Sequence, residues 1–135
     1  MGVYATRWFR RWARRERLPD AALCSAVDEM RRGLVDANMG AGLFKKRVAR
    51  AGQGKSGGFR TLVATNMADR WVFLYGFAKS ARVNIDSAEE AVLKKLALEL
   101  LSYTATLVSK ALEAKQLFEL NCYAQDQIPH TRGRP

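Results

Sequence analysis

Three runs of alternating side chains, Leu43–Arg50, Gly58–Thr65 and Trp71–Lys79, follow one another along this chain with connections too short to hold a crossover helix. Strands joined so closely are expected to pair as an antiparallel meander. The alternation also assigns faces. On the first run Leu43, Lys45, Arg47 and Ala49 point one way, and Phe44, Lys46, Val48 and Arg50 the other. On the second, Arg60, Leu62 and Ala64 lie opposite Phe59, Thr61, Val63 and Thr65. On the third, Trp71, Phe73, Tyr75, Phe77 and Lys79 are expected on one face, after a turn at Asn66–Asp69.

Helical periodicity surrounds this meander. Val3–Thr6 reads as a short strand leading into a helix over Arg7–Arg17, on which Trp8 and Trp12 share a face. A second helix starts at Pro19, with a stripe at Leu23, Ala26, Val27, Met30 and Leu34 and Gly33 as its C-cap. Ser87-Ala88-Glu89-Glu90 reads as a capping box, opening a helix with Leu93, Leu96, Ala97, Leu100 and Leu101 on its apolar stripe. A shorter helix over Ala105–Ala114 and an alternating Leu117–Cys122 complete the order. The expected class is α+β: two N-terminal helices, an antiparallel meander, C-terminal helices and a last strand. A chain of 135 residues is enough for one core. The reading is one domain over residues 1–123 and a flexible tail over 124–135.

The net charge of +10 points to a polyanionic partner. It is unevenly placed: residues 1–85 hold 17 Lys/Arg against 6 Asp/Glu, and residues 86–135 hold 6 against 7. Between Ala37 and Ala68 there is no acid. Cys24 and Cys122 lack metal-ligand spacing and sit among apolar residues, so they are expected as buried free thiols in a reducing cytoplasm. The N-terminus is rich in arginine but has no apolar segment of a secretory signal, and no stretch is apolar enough to span a membrane.

Gly54-Lys55-Ser56 ends a phosphate-loop pattern, G-x-x-x-x-G-K-[ST], whose first glycine is replaced by Ala49. The Gly57–Ala64 segment that follows reads as a strand and not as the required helix. The run is therefore taken as a glycine-rich basic hairpin. The single histidine, His130, lies in the tail, and no catalytic triad or metal-binding carboxylate cluster can be assembled. Neither metal nor cofactor is expected. Any catalysis falls to Lys, Arg and Tyr, which suit phosphodiester chemistry: cations stabilise charge on a pentacovalent phosphate, and a lysine of lowered pKa can accept a proton from an attacking hydroxyl. Lys45 and Arg47 stand about 7 Å apart on one strand face. Arg60 and Lys79 can converge on the same groove, with Lys46 and Arg50 facing away. Spacing alone does not separate a nuclease from a basic module that binds nucleic acid without cutting it.

Gly42–Ala49, Gly52–Arg60 and Tyr75–Lys79 together resemble the RelE/HigB toxins of bacterial type II toxin–antitoxin systems, closest to the HigB-like branch with a G-x-G-K-x-G-G hairpin. The similarity spans roughly residues 3–120. It implies a small RelE-like fold and a metal-independent endoribonuclease, an mRNA interferase that cuts mRNA in the ribosomal A site through attack of the ribose 2′-OH. The 2′-OH requirement makes such an enzyme RNA-specific. It also implies cytoplasmic action, with ribosome and mRNA as partners, no membrane, and neutralisation by a small antitoxin of the helix-turn-helix kind. By motif, Lys45 is base or charge stabiliser, Arg47 and Arg60 are phosphate clamps, and Lys79 is a clamp or leaving-group partner. Lys46, Arg50, Lys55 and Arg82 are further RNA contacts. The general acid is unassigned, with Asp86 and Tyr75 as substitutes for the residue that some members carry after this strand. A ParE-type gyrase poison shares the fold and is the alternative within the family.

Overall fold

The computed structural model describes residues 1–50 and 57–122. Along them run β1 (Gly2–Thr6), α1 (Arg7–Arg15), α2 (Asp20–Arg31), β2 (Ala37–Gly40), β3 (Leu43–Val48), β4 (Phe59–Thr65), β5 (Arg70–Ala78), α3 (Ser87–Leu101), α4 (Ala105–Glu113) and β6 (Leu117–Leu120). The strands form one six-stranded sheet in the order β2-β3-β4-β5-β1-β6. The meander β3-β4-β5 is antiparallel as its short connections require. The sheet as a whole is mixed, because β1 inserts between β5 and β6 and pairs parallel with β5, Val3 opposite Trp71 and Ala5 opposite Phe73.

Each sheet face is covered by helices. On one face Phe9 and Trp12 of α1 and Leu23 and Met30 of α2 bury against Phe44, Val63 and Phe73. On the other, Leu93, Ala97 and Leu100 of α3 pack over Leu43, Leu62 and Leu74. Gly76 lets Trp12 lie flat on the strand, since a Cβ there would sit 2.5 Å from the indole. Thr6 caps α1 by accepting from the Phe9 amide at 3.1 Å, and its hydroxyl donates to the Leu74 carbonyl at 3.2 Å. The helix is thereby anchored to the sheet at its first residue.

Four sequence expectations change. First, β2 has no strand signature in Ala-Asn-Met-Gly; it is a strand because β3 offers it a partner, across a turn with Gly40 at φ +90° and Gly42 at φ +79°. Second, β5 does not keep one face. Leu62 pairs with Tyr75 but Val63 with Phe73, so Leu74 is an extra residue, a β-bulge. Trp71 and Phe73 therefore face α1 and α2, while Tyr75 and Phe77 belong to the α3 side. Third, the capping box of α3 is Asp86 with Glu89, one residue earlier than Ser87 with Glu90. Fourth, Cys24 and Cys122 are not free thiols: they form a disulfide across 98 residues of sequence, with Cα atoms 5.4 Å apart. The argument for a reducing compartment from unpaired cysteines falls with it. Among the described residues no helix is long and apolar enough to cross a membrane.

Candidate nucleic-acid interface

The register of the meander brings the cations together. Arg47 on β3 stands directly opposite Arg60 on β4, and Arg60 opposite Phe77 on β5. One step away on the same face, Lys45 is opposite Leu62, which is opposite Tyr75. These two rows lie on the α3 side of the sheet, where Leu62 and Phe77 are buried in the cluster that α3 caps while Arg47 is exposed and Lys45 and Arg60 are partly exposed. The bulge at Leu74 matters here. Without it, the β5 alternation would put Tyr75 and Phe77 with Trp71, on the face that α1 and α2 bury. Lys79 follows immediately after β5; its amide still donates to the Gly58 carbonyl at 3.1 Å and its side chain is exposed. Lys45, Arg47 and Arg60 thus share a face of the meander, and Lys79 follows β5 at the same end.

Arg47 is held in place by a residue that sequence reasoning missed. Asp36, in the loop before β2, accepts from the Arg47 backbone amide at 2.6 Å and from its Nε at 2.7 Å. The Arg47 side chain is still 45% exposed, so the guanidinium is aimed without being consumed. The available signal was that Asp36 is the last acid before the long acid-free stretch. Trp8 was also underestimated. It is 43% exposed, and its ring stacks on Tyr75 with centroids 4.5 Å apart, with Trp12 at 6.1 Å.

Other expected contacts have different roles. Lys46 is only 3% exposed; its ammonium donates to Glu29 at 2.7 Å and to the Leu34 carbonyl at 2.8 Å. It is a buried tie between β3 and α2, and its placement as an RNA contact is corrected accordingly. Arg82 grips both Glu89 oxygens, at 2.9 and 2.6 Å, donates to the Asn84 carbonyl and to the Tyr75 hydroxyl at 3.4 Å, and lies over the Phe77 ring. That guanidinium lowers the Glu89 pKa below its ordinary value, helped by the hydrogen bond from the Asp86 amide. The same bond raises the Arg82 pKa. Arg82 therefore fastens the start of α3 and is a poor RNA contact. Arg50 faces the α1 side, pairing with Glu16 at 3.5 Å and lying over Phe59, beside a cleft of about 530 Å³. Lys55 and the rest of residues 51–56 of the glycine hairpin lie outside the described residues, as do His130 and the tail. Because Val48 pairs with Phe59, the segment between them joins neighbouring antiparallel strands, and no phosphate-loop helix follows it. Among the described residues no three His, Cys, Asp or Glu side chains are grouped to hold a metal ion.

No curated protein matches the chain. The family described as the RelE toxin of the RelE / RelB toxin-antitoxin system matches residues 1–120. With an α+β fold, a cationic meander and a family match over most of its length, the chain belongs to the RelE toxin family.

Proposed function

We propose that this toxin is a metal-independent endoribonuclease that cuts mRNA in the ribosomal A site, with Lys45, Arg47, Arg60 and Lys79 around the scissile phosphate. The observation that carries this reading is Arg47 directly opposite Arg60, with Lys45 on the same face. Like charges directly opposed across a sheet are destabilising, and Asp36 offsets the Arg47 side of that cost. Such a pair makes physical sense when an anion sits between the two. In the proposed step the 2′-oxygen attacks the adjacent phosphorus and the P–O5′ bond breaks. Lys45 takes the 2′ proton or stabilises the pentacovalent charge, and Arg47 and Arg60 hold the non-bridging oxygens. Lys79 clamps the neighbouring phosphate and Lys55 extends the RNA contact, whereas Arg50, turned to Glu16 on the α1 side, is no longer part of it. Of the two substitutes for the general acid, Asp86 is engaged as the α3 cap, whereas Tyr75 stands in the row of Lys45 and its hydroxyl, which accepts from Arg82, still has its own proton to donate. Tyr75 is therefore the proposed donor to the leaving 5′-oxygen. The products are a 2′,3′-cyclic phosphate and a 5′-hydroxyl.

The partner in this reading is a small antitoxin of the helix-turn-helix kind. The test is a translating extract with a defined transcript, alongside expression of the gene alone in bacteria. Cleavage within codons, and growth arrest relieved by Lys45→Ala, are expected. Intact transcript with only retarded migration would convert the protein into a non-catalytic binder. Blocked DNA supercoiling with intact transcript would support the gyrase-poison alternative.

A further inference from the structure

Helix α1 presents a second cationic surface, on the side of the sheet away from Lys45 and Arg60. It carries Arg7, Arg10, Arg11, Arg14 and Arg15 in nine residues, with no acid in its first turn. The i, i+3, i+4, i+7 spacing of Arg7, Arg10, Arg11 and Arg14 aligns them as one stripe, opposite the buried Phe9, Trp12 and Ala13. The fold itself does not account for this stripe. Two basic residues in the last turn complement the helix dipole, but Arg7 and Arg10 stand in the first turn, where positive charge is unfavourable. Like charges three and four residues apart repel as well. Arg7 is offset by the Lys115 and Ala114 carbonyls, and Arg10 by the Phe118 ring. Arg11, Arg14, Arg15 and the adjoining Arg17 are exposed and form no ion pair among the described residues. Glu16, the nearest acid, is turned to Arg50.

From this we infer that the outer face of α1 binds the phosphate backbone of double-stranded RNA, as a site separate from the cleavage face. The stripe spans about 12 Å of helix. A nucleic-acid duplex carries roughly one charge per 1.7 Å of axis, so several phosphates fall within its reach. Duplex backbone fits better than single strand, because single-strand binding uses exposed aromatic platforms. Here Phe9 and Trp12 are buried and the Trp8 ring is stacked on Tyr75. An anionic membrane fits less well, because a helix lying on lipid inserts its apolar face, and that of α1 is spent on the core. That the duplex is RNA rests on the nuclease reading; that the stripe binds phosphate does not.

The test is binding of the full chain to a blunt 20-base-pair RNA duplex, followed by fluorescence anisotropy between 50 and 200 mM salt. The triple variant Arg11→Gln/Arg14→Gln/Arg15→Gln is expected to bind at least tenfold more weakly. Its slope of log affinity on log salt should flatten by about 2–3, close to 0.9 for each arginine lost. The same three positions changed to Lys should keep the slope, and Lys45→Ala/Arg60→Ala should leave it unchanged. The glutamine variant should melt close to the parent, since relieved repulsion offsets the dipole complement lost with Arg14 and Arg15. An unaltered slope in the glutamine variant would overturn the inference. So would a loss shared equally with Lys45→Ala/Arg60→Ala, or arginine-dependent binding to phosphatidylserine vesicles without binding to the duplex. Transcript cleavage, measured separately in the translating extract, reports on the nuclease reading alone.

Discussion

Arg47 and Arg60 face each other across two strands, and Asp36 steers one of them while Lys45 stands a strand step away. In the proposed cleavage step these side chains act on the substrate phosphate, which gives a clear expectation for two adjacent lysines. Lys45→Ala should lower the cleavage rate by about 10²–10³ while leaving the thermal melt unchanged, because a transition-state cation is lost and no core contact is. Rate and melt measured on the same preparation check this; a Lys45→Ala protein that cleaves normally would remove Lys45 from the site. Lys46→Ala should behave in the opposite way. It strips Glu29 of a buried partner and leaves the Leu34 carbonyl without its donor. The cost should be roughly 2–3 kcal/mol, discounted from the 3–5 kcal/mol of a fully buried pair because Glu29 keeps some solvent. Chemical denaturation measures it, and activity should fall only as far as the folded population does.

At the scale of elements, the start of α3 depends on Asp86, Glu89 and Arg82. Asp86 accepts from the Glu89 amide at 2.8 Å, Glu89 accepts from the Asp86 amide at 2.9 Å, and Arg82 holds both Glu89 oxygens. Glu89 is more acidic folded than unfolded, so its contribution to stability is fully present above its ordinary pKa of 4.5. That contribution is lost as pH falls from there through the lower folded value. Acid titration should therefore loosen α3, and with it the Arg82 contact to Tyr75. In Glu89→Gln that part of the acid sensitivity should disappear, while stability at neutral pH drops. Unfolding free energy measured from pH 7 down to pH 3 tests both; an unchanged acid limb in Glu89→Gln would sink the assignment.

For the whole molecule, the disulfide ties α2 to the chain just beyond β6, closing most of the sequence into one loop. Loops of about 100 residues sit at the upper end of the range in the chain-entropy account, so Cys24→Ser/Cys122→Ser should lose about 2–5 kcal/mol. For a chain of this size that corresponds to a melting temperature lower by on the order of 10 °C. A melt of the oxidised protein that does not move on reduction would show that the bond adds no stability. Charge is also organised at this scale. The sheet carries one cationic face at the end of β3, β4 and β5, and α1 carries another on the opposite side.

The sequence by itself determined the helices, the three meander strands and the faces of β3 and β4, because the period-2 and 3.6-residue repeats that encode them are local. Thus Lys45, Arg47 and Arg60 were readable as one face before any contact was known, and so was the opposite direction of Lys46, but not that Lys46 is a buried tie to Glu29 and no RNA contact. What only the tertiary structure decided lies in contacts between distant segments. Nothing in Val-Tyr-Ala-Thr says that β1 will slip in parallel beside β5, nor in Ala-Asn-Met-Gly that β3 will recruit it as a strand. Leu74 is an ordinary strand residue by pattern, and only the pairing of β5 against β4 makes it the extra one, turning Tyr75 and Phe77 to the cationic side. Asp36 and Arg47, Lys46 and Glu29, and the two cysteines meet for the same reason. Periodicity fixes which way a side chain points, but its partner is set by the packing of segments that the sequence keeps far apart.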